Sequence, residues 1–154
     1  MTVGFIFNWD LDEVLLIRKN RPVWQSGLLN GIGGHFEEPD KGDAIECWLR
    51  EVREECGLVL PYREVVEVGT INVIQNRFDG ESPVTVNILA FRQLKPEDRE
   101  LAHPKTDESI VWLSISGLYG AGMISNLLYL IPFARDFFAS NSLLPHSHIT
   151  LNYK

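Results

Sequence analysis

The chain has 154 residues, 45% of them hydrophobic, and a formal net charge of −7. That length suits one domain with a single buried core, so residues 1–154 are read as one unit. The acidic balance, with a pI of about 5.0, excludes an extended nucleic-acid surface; an acidic chain that handles anionic ligands needs a metal ion or local cations.

Residues 2–8 (TVGFIFN) and 13–18 (EVLLIR) are rich in β-formers, with the turn-prone Trp9-Asp10-Leu11-Asp12 between them. They predict a hairpin or two adjacent strands. No basic stretch followed by an apolar run opens the chain, and no segment has the length and apolarity of a membrane helix, so the expected location is cytoplasmic. Lys19-Asn20-Arg21-Pro22 breaks the second strand. Arg18, Lys19 and Arg21 concentrate positive charge there. Exposed loop charges are the plainer reading, while Arg18 and Arg21 are candidate phosphate contacts because a guanidinium grips phosphate oxygens bidentately. Trp24 follows in a Ser/Gly-containing loop and offers a ring for stacking a base. Glycines at 31, 33 and 34, within Leu28–Gly34, suggest close backbone approach or special dihedrals.

A helix follows. Asp43 is a good N-cap, Glu46 three residues later completes a capping-box pattern, and Gly57 is suited to the left-handed conformation that ends a helix at Cys56. Ile45, Trp48, Leu49, Val52 and Cys56 recur at helical spacing as one apolar stripe. Glu51, Glu54 and Glu55 form a second stripe flanking the first. Like charges three and four residues apart cost a few tenths of a kcal/mol per pair, and the negative end of the helix adds to that cost. A solvated acidic face with Arg50 and Arg53 as partners is one reading; a site for Mg²⁺ or Mn²⁺, hard cations that take oxygen ligands, is the other. Cys47 and Cys56 lie about 13 Å apart along such a helix, too far for a disulfide, and read as buried apolar residues.

The stretch Gly33–Leu58 (GGHFEEPDKGDAIECWLREVREECGL) resembles the Nudix box of the MutT-like hydrolase family, whose pattern is G-x5-E-x7-R-E-U-x-E-E-x-G-U with U a bulky aliphatic residue. Arg50 to Leu58 match every fixed position of its second half. The first half departs. Counted back from Arg50, the family's Glu falls on Gly42; counted forward from Gly34, it falls on Asp40. The loop is therefore lengthened by two residues. In the family that Glu pairs with the box Arg, and Asp40, Glu38 or Asp43 are the residues available to replace it. The alteration implies either reduced activity or another route for the loop. The resemblance also implies that Glu51, Glu54 and Glu55 hold the metal, that a carbonyl at Gly34 or Gly33 completes its shell, that Glu51 assists in activating water and that Arg50 orients the carboxylates.

Further on, Val65–Ile74 and Val84–Phe91 predict two strands around an Asp79-Gly80 hairpin signal. Asn72, Gln75 and Phe78 are candidate ligand contacts, although ordinary strand and loop roles are the plainer reading. Residues 95–106 read as a loop. Asp107–Leu118 predicts a short strand and a helical turn, and resembles the late Nudix element in which a carboxylate orients or deprotonates the attacking water; Asp107 and Glu108 are the candidates. Met123–Ala139 is strongly apolar and predicts a core helix kinked or broken at Pro132, its aromatics also suited to a pocket or a homodimer face. His146 and His148 belong to a polar terminal strand.

The fold expected from the resemblance is an α/β/α sandwich with a central mixed sheet. The function it implies is divalent-metal-dependent hydrolysis of a nucleoside diphosphate linked to another group, foremost a (d)NTP. The altered loop motivates the other reading, a nucleotide-binding or regulatory module with weakened turnover.

Overall fold

The structure is a computed structural model and describes residues 1–74, 84–93, 95–139 and 147–152. One mixed seven-stranded sheet runs through it, with β1 at Thr2–Phe7, β2 at Glu13–Arg18, β3 at Leu29–Asn30, β4 at Val66–Ile74, β5 at Val84–Arg92, β6 at Ser109–Ser114 and β7 at Ser147–Asn152. Helix α1, Ala44–Cys56, precedes β4, and helix α2, Leu127–Ala139, precedes β7. The sheet pairs β1 in parallel with β5, β5 antiparallel with β4, and β4 in parallel with β7, while β6 lies antiparallel to β2.

Side-chain alternation along the strands divides the core into two layers, because successive residues point to opposite faces. Phe5, Phe7, Val14, Leu16, Ile88 and Ala90 face α2, where they meet Leu127, Leu130, Ile131 and Ala134. Ile6, Leu15, Leu89 and Phe91 face the other way, against Trp48, Leu49, Val52 and Cys56 of α1. The result is the α/β/α sandwich expected.

Helix α1 starts and stops where the sequence indicates. The Asp43 carboxylate accepts the N–H groups of Ile45 and Glu46, and Gly57 adopts φ +70° with its N–H on the Arg53 carbonyl. The reciprocal half of the capping box is not made. The Asp43 N–H goes to the Asp40 carbonyl at 2.9 Å, so Glu46 has no donor to reach back to. Beyond Gly57, the N–H groups of His103 and Lys105 bond the carbonyls of Cys56 and Glu55, which brings the following acidic pair alongside the helix end.

One irregularity positions the site. β1 and β2 pair only at Ile6↔Leu15 and Phe7↔Val14, then part. The segment 29–34 fills the fork. Its first residues pair with the end of β2, and its last ones bond β1 through Gly4–Ile32 and Thr2–Gly34. Within the 28–34 run only Leu29–Asn30 is regular strand. Trp48 caps the fork, fully buried against the Cα of Gly4, its indole N–H donating to the Ile32 carbonyl at 3.0 Å.

Helix α2 begins later than the apolar run suggests, because Met123 bridges to Leu29 and residues 124–126 make the turn into the helix. Pro132 lies inside it without ending it; the ring removes one backbone donor, and the buried apolar face on both sides of it holds the helix together. Residues 75–83, with Gln75, Phe78 and the Asp79-Gly80 turn, and residue His146 lie outside the described residues. Both cysteines are free and buried, as expected. Among the described residues no helix is long and apolar enough to cross a membrane.

Trp48→Ala removes the largest fully buried side chain and a buried hydrogen bond in one step. It is expected to destabilise the fold by roughly 3–5 kcal/mol, read as a lower urea midpoint with little change in slope.

Candidate active site

The centre of the box is Arg50. Its guanidinium is almost buried and donates to five oxygens. Nε and Nη2 grip the two oxygens of Asp40 at 3.0 and 3.1 Å, Nη2 also donates to the His35 carbonyl at 2.9 Å, and Nη1 donates to Glu51 at 3.0 Å and Glu54 at 3.2 Å. Glu37 stands a little farther off, at 3.6 Å. The hydrogen bonds to Arg50 hold the Asp40 carboxyl below its ordinary range despite its burial. The same bonds, Asp40 first, raise the arginine above its own.

Asp40 therefore occupies the role that the sequence pattern assigns to a glutamate. The loop explains how. Residues Glu38–Asp40 form a single 3₁₀ turn, in which the Asp40 carboxylate also accepts the Glu37 N–H at 2.8 Å. Lys41 at φ +50° and Gly42 at φ +80° then form a left-handed pair that takes up the two extra residues. Gly42 has open space around it and no place in the site. Of the other stand-ins, Asp43 is committed to the helix cap and the Tyr62 hydroxyl, and Glu38 is exposed.

The box carboxylates line a cleft of about 240 Å³ together with Lys19, Arg21, Thr106, Asp107 and Glu108. Helix α1 presents Glu51 and Glu55 inward and Glu54 outward, the last half exposed. Glu51 lies directly over the Cα of Gly34, where a Cβ would overlap its carboxylate. That contact gives Gly34 its reason, since the helix could not approach the fork over a side chain there, while Gly33 lies at φ +152° against the Thr2 backbone. Burial pushes the Glu51 carboxyl up against the pull of Arg50. Burial likewise raises Glu55 to about 6, outweighing Lys19 beside it. Both shifts reflect burial outweighing the cation beside each carboxylate.

Lys19 was not singled out by sequence reasoning beyond its place in a basic cluster. Its Nζ bridges Glu108 at 2.7 Å and Glu55 at 3.2 Å. Against the lowering effect of burial, these bonds raise the lysine. Glu108, 6% exposed, also accepts the Asn20 N–H at 2.8 Å. The signal available was the alternation along EVLLIR, which points Arg18 and Lys19 to opposite sides of the strand end.

The remaining candidates are dispersed. Arg21 stands at the cleft rim, exposed, 3.5 Å from Asp107. Arg18 does not line the cleft; it donates to the Gly27 carbonyl and braces that loop. Trp24 is 67% exposed on a 3₁₀ turn outside the cleft lining. Asn72 on β4 accepts the Thr85 hydroxyl, also outside it. The Gly34 carbonyl accepts the Thr2 N–H at 2.8 Å, leaving one lone pair.

As a donor set, the buried pair Glu51 and Glu55 with Glu54 at the rim fits a hard divalent cation. Their present rotamers do not gather on one point: among the described residues no three acidic, His or Cys side chains are close enough to hold an ion, since Arg50 draws Glu51 and Lys19 draws Glu55.

The fold and this box helix define a class. The NUDIX domain model matches residues 1–138, and the chain belongs to that family. The NUDIX domain of Shewanella oneidensis NrtR, solved with ADP ribose, is similar at a TM-score of 0.71 and 17% identity, over 89% of this chain and 86% of that one. The MutT protein of Bacillus halodurans is similar at 0.64 and 15%, over 99% and 88%. Shewanella oneidensis NrtR bound to a 27mer DNA is similar at 0.65 and 18%, over 90% of this chain and 61% of that one. At these identities the likeness is one of fold. No curated protein matches the sequence.

Two substitutions test the loop. Asp40→Asn leaves Arg50 without its bidentate partner and is expected to cost roughly 3 kcal/mol at neutral pH. Because the folded Asp40 carboxyl is depressed, its contribution is complete above the unfolded value of about 3.9 and disappears as pH falls through the folded value. The gap between wild type and variant in urea unfolding should be constant from pH 5 to 8 and close at lower pH. Gly42→Glu restores the counted box residue at a left-handed position; it is expected to cost about 1–2 kcal/mol and to bring no gain in turnover.

Proposed function

We propose that the protein is a divalent-metal-dependent pyrophosphohydrolase for a nucleoside diphosphate linked to another group. The observation that carries this reading is the convergence of three box carboxylates from one helix on a single cleft, Glu51 and Glu55 largely buried and Glu54 at the rim. Glu51, Glu54, Glu55 and the free lone pair of Gly34 are the residues that would hold Mg²⁺ or Mn²⁺. Such an ion neutralises phosphate charge and lowers the pKa of bound water. Arg50 fixes Glu51 and Glu54 relative to each other and to the loop. Glu108, held by Lys19 and the Asn20 N–H, presents a carboxylate to the cleft and is the candidate to accept a proton from water. Arg21 at the rim is placed to meet a phosphate oxygen. Substrates to test first are (d)NTPs and ADP-ribose, the latter because it is bound by the similar NrtR domain.

Glu54→Gln tests this cleanly, because Glu54 is half exposed and a Gln carbonyl oxygen can still accept its 3.2 Å hydrogen bond from Arg50. With Mg²⁺ or Mn²⁺ and a panel of nucleotides read by product mass, the variant should lose roughly 10²-fold or more in kcat/KM. Undiminished turnover would sink the assignment. The second reading, a binding module without turnover, is favoured by the engagement of Glu51 and Glu55 with internal cations. It predicts nucleotide-induced thermal stabilisation and no product from any member of the panel.

A further inference from the structure

Lys19 has an unusual place for a lysine next to a basic loop. Its backbone is fixed on both sides, its N–H on the Leu28 carbonyl at 2.9 Å and its carbonyl accepting the Gly27 N–H at 2.8 Å. Its ammonium is mostly buried inside the acidic cleft. The two carboxylates it touches are not held alike. Glu108 lies at 2.7 Å and is independently anchored by the Asn20 N–H. Glu55 lies at 3.2 Å, its other oxygen 3.4 Å from the Gly33 N–H. The Glu55 leg is the longer and the less supported. It is also the leg that a metal ion on the box carboxylates would claim, and an ammonium and a dication on one carboxylate oxygen repel each other.

We propose that Lys19 is a resident, displaceable counter-ion of the box: it holds Glu55 to Glu108 in the metal-free protein and yields Glu55 to the incoming divalent cation, so that it sets how tightly metal binds. This rests on the metal-binding reading above. The lysine acts as a positioning residue. It stabilises the carboxylate cluster whenever no divalent cation is bound there, and metal binding must work against that stabilisation. The anchored Glu108 keeps the ammonium in the cleft after it leaves Glu55, so displacement is a short swing about a fixed backbone.

The test is Mn²⁺ binding without nucleotide, followed by calorimetry and by loss of the free-ion paramagnetic resonance signal, in the wild type, Lys19→Met and Lys19→Arg. Lys19→Met, which keeps the length of the stem and removes the charge, should bind Mn²⁺ at least tenfold more tightly, with Lys19→Arg within about threefold of wild type. If the wild type binds Mn²⁺ and Lys19→Met binds it equally or more weakly, the inference is overturned while the metal-binding reading stands. If neither binds, both fall together. Should Lys19→Met be unfolded without metal, recovery of its circular dichroism on adding Mn²⁺ supports the proposal, and failure to recover overturns it.

Discussion

The bidentate grip of Arg50 on Asp40 is the constraint on which the rest of the box depends. It ties the loop before α1 to the second half of that helix, and its remaining donors set the positions of Glu51 and Glu54. Without it, a guanidinium with 14% of its side chain exposed would face several carboxylates with no fixed partner. A buried pair of this kind adds little net stability over apolar packing, yet breaking it on one side is costly. Its value here is geometric, because it ties the loop before α1 to the same guanidinium that orients Glu51 and Glu54 at the cleft.

That arrangement would be useless without close approach of the helix to the sheet. The fork between β1 and β2 makes the approach possible. Trp48 fills it from above, Gly4 leaves room for the indole, and Gly34 leaves room for Glu51. Packing and chemistry thus share one helix, divided by a few tens of degrees of rotation: the apolar stripe meets the sheet and the adjacent stripe meets the cleft. Burial of the first forces partial burial of the second, which is why two of its carboxylates hold protons more firmly than usual.

Much of this was legible in the residues. The helix limits and its apolar stripe follow from local patterns with strong physical warrants, namely a cap, a left-handed glycine and a 3.6-residue period, while the layered sandwich and the box follow from the resemblance. The role of Asp40 was narrowed to three residues and no further, because counting along a chain cannot say where two extra residues are absorbed. Lys19 escaped notice for a related reason. Its partners Glu55 and Glu108 are 36 and 89 residues away, and only the pairing of β2 with β6 brings the second of them near. Arg18, Trp24 and Asn72 have chemistry that suits a nucleotide, but they do not line this cleft. Residue type states what a side chain can do, and the strand register decides whether it is present to do it.

The left-handed pair Lys41–Gly42 has a consequence for how such loops change over time. Aspartate is one methylene shorter than glutamate, and here the shorter reach comes with two more residues of backbone before the helix. In this chain the shorter side chain and the longer loop together still bring a carboxylate to within 3.0 Å of the guanidinium. A chain can drift along that exchange without passing through a broken intermediate, provided the loop length and the acid change together. Fixed-spacing patterns are blind to such drift, so members that have made the exchange will be under-counted wherever a family is defined by position alone.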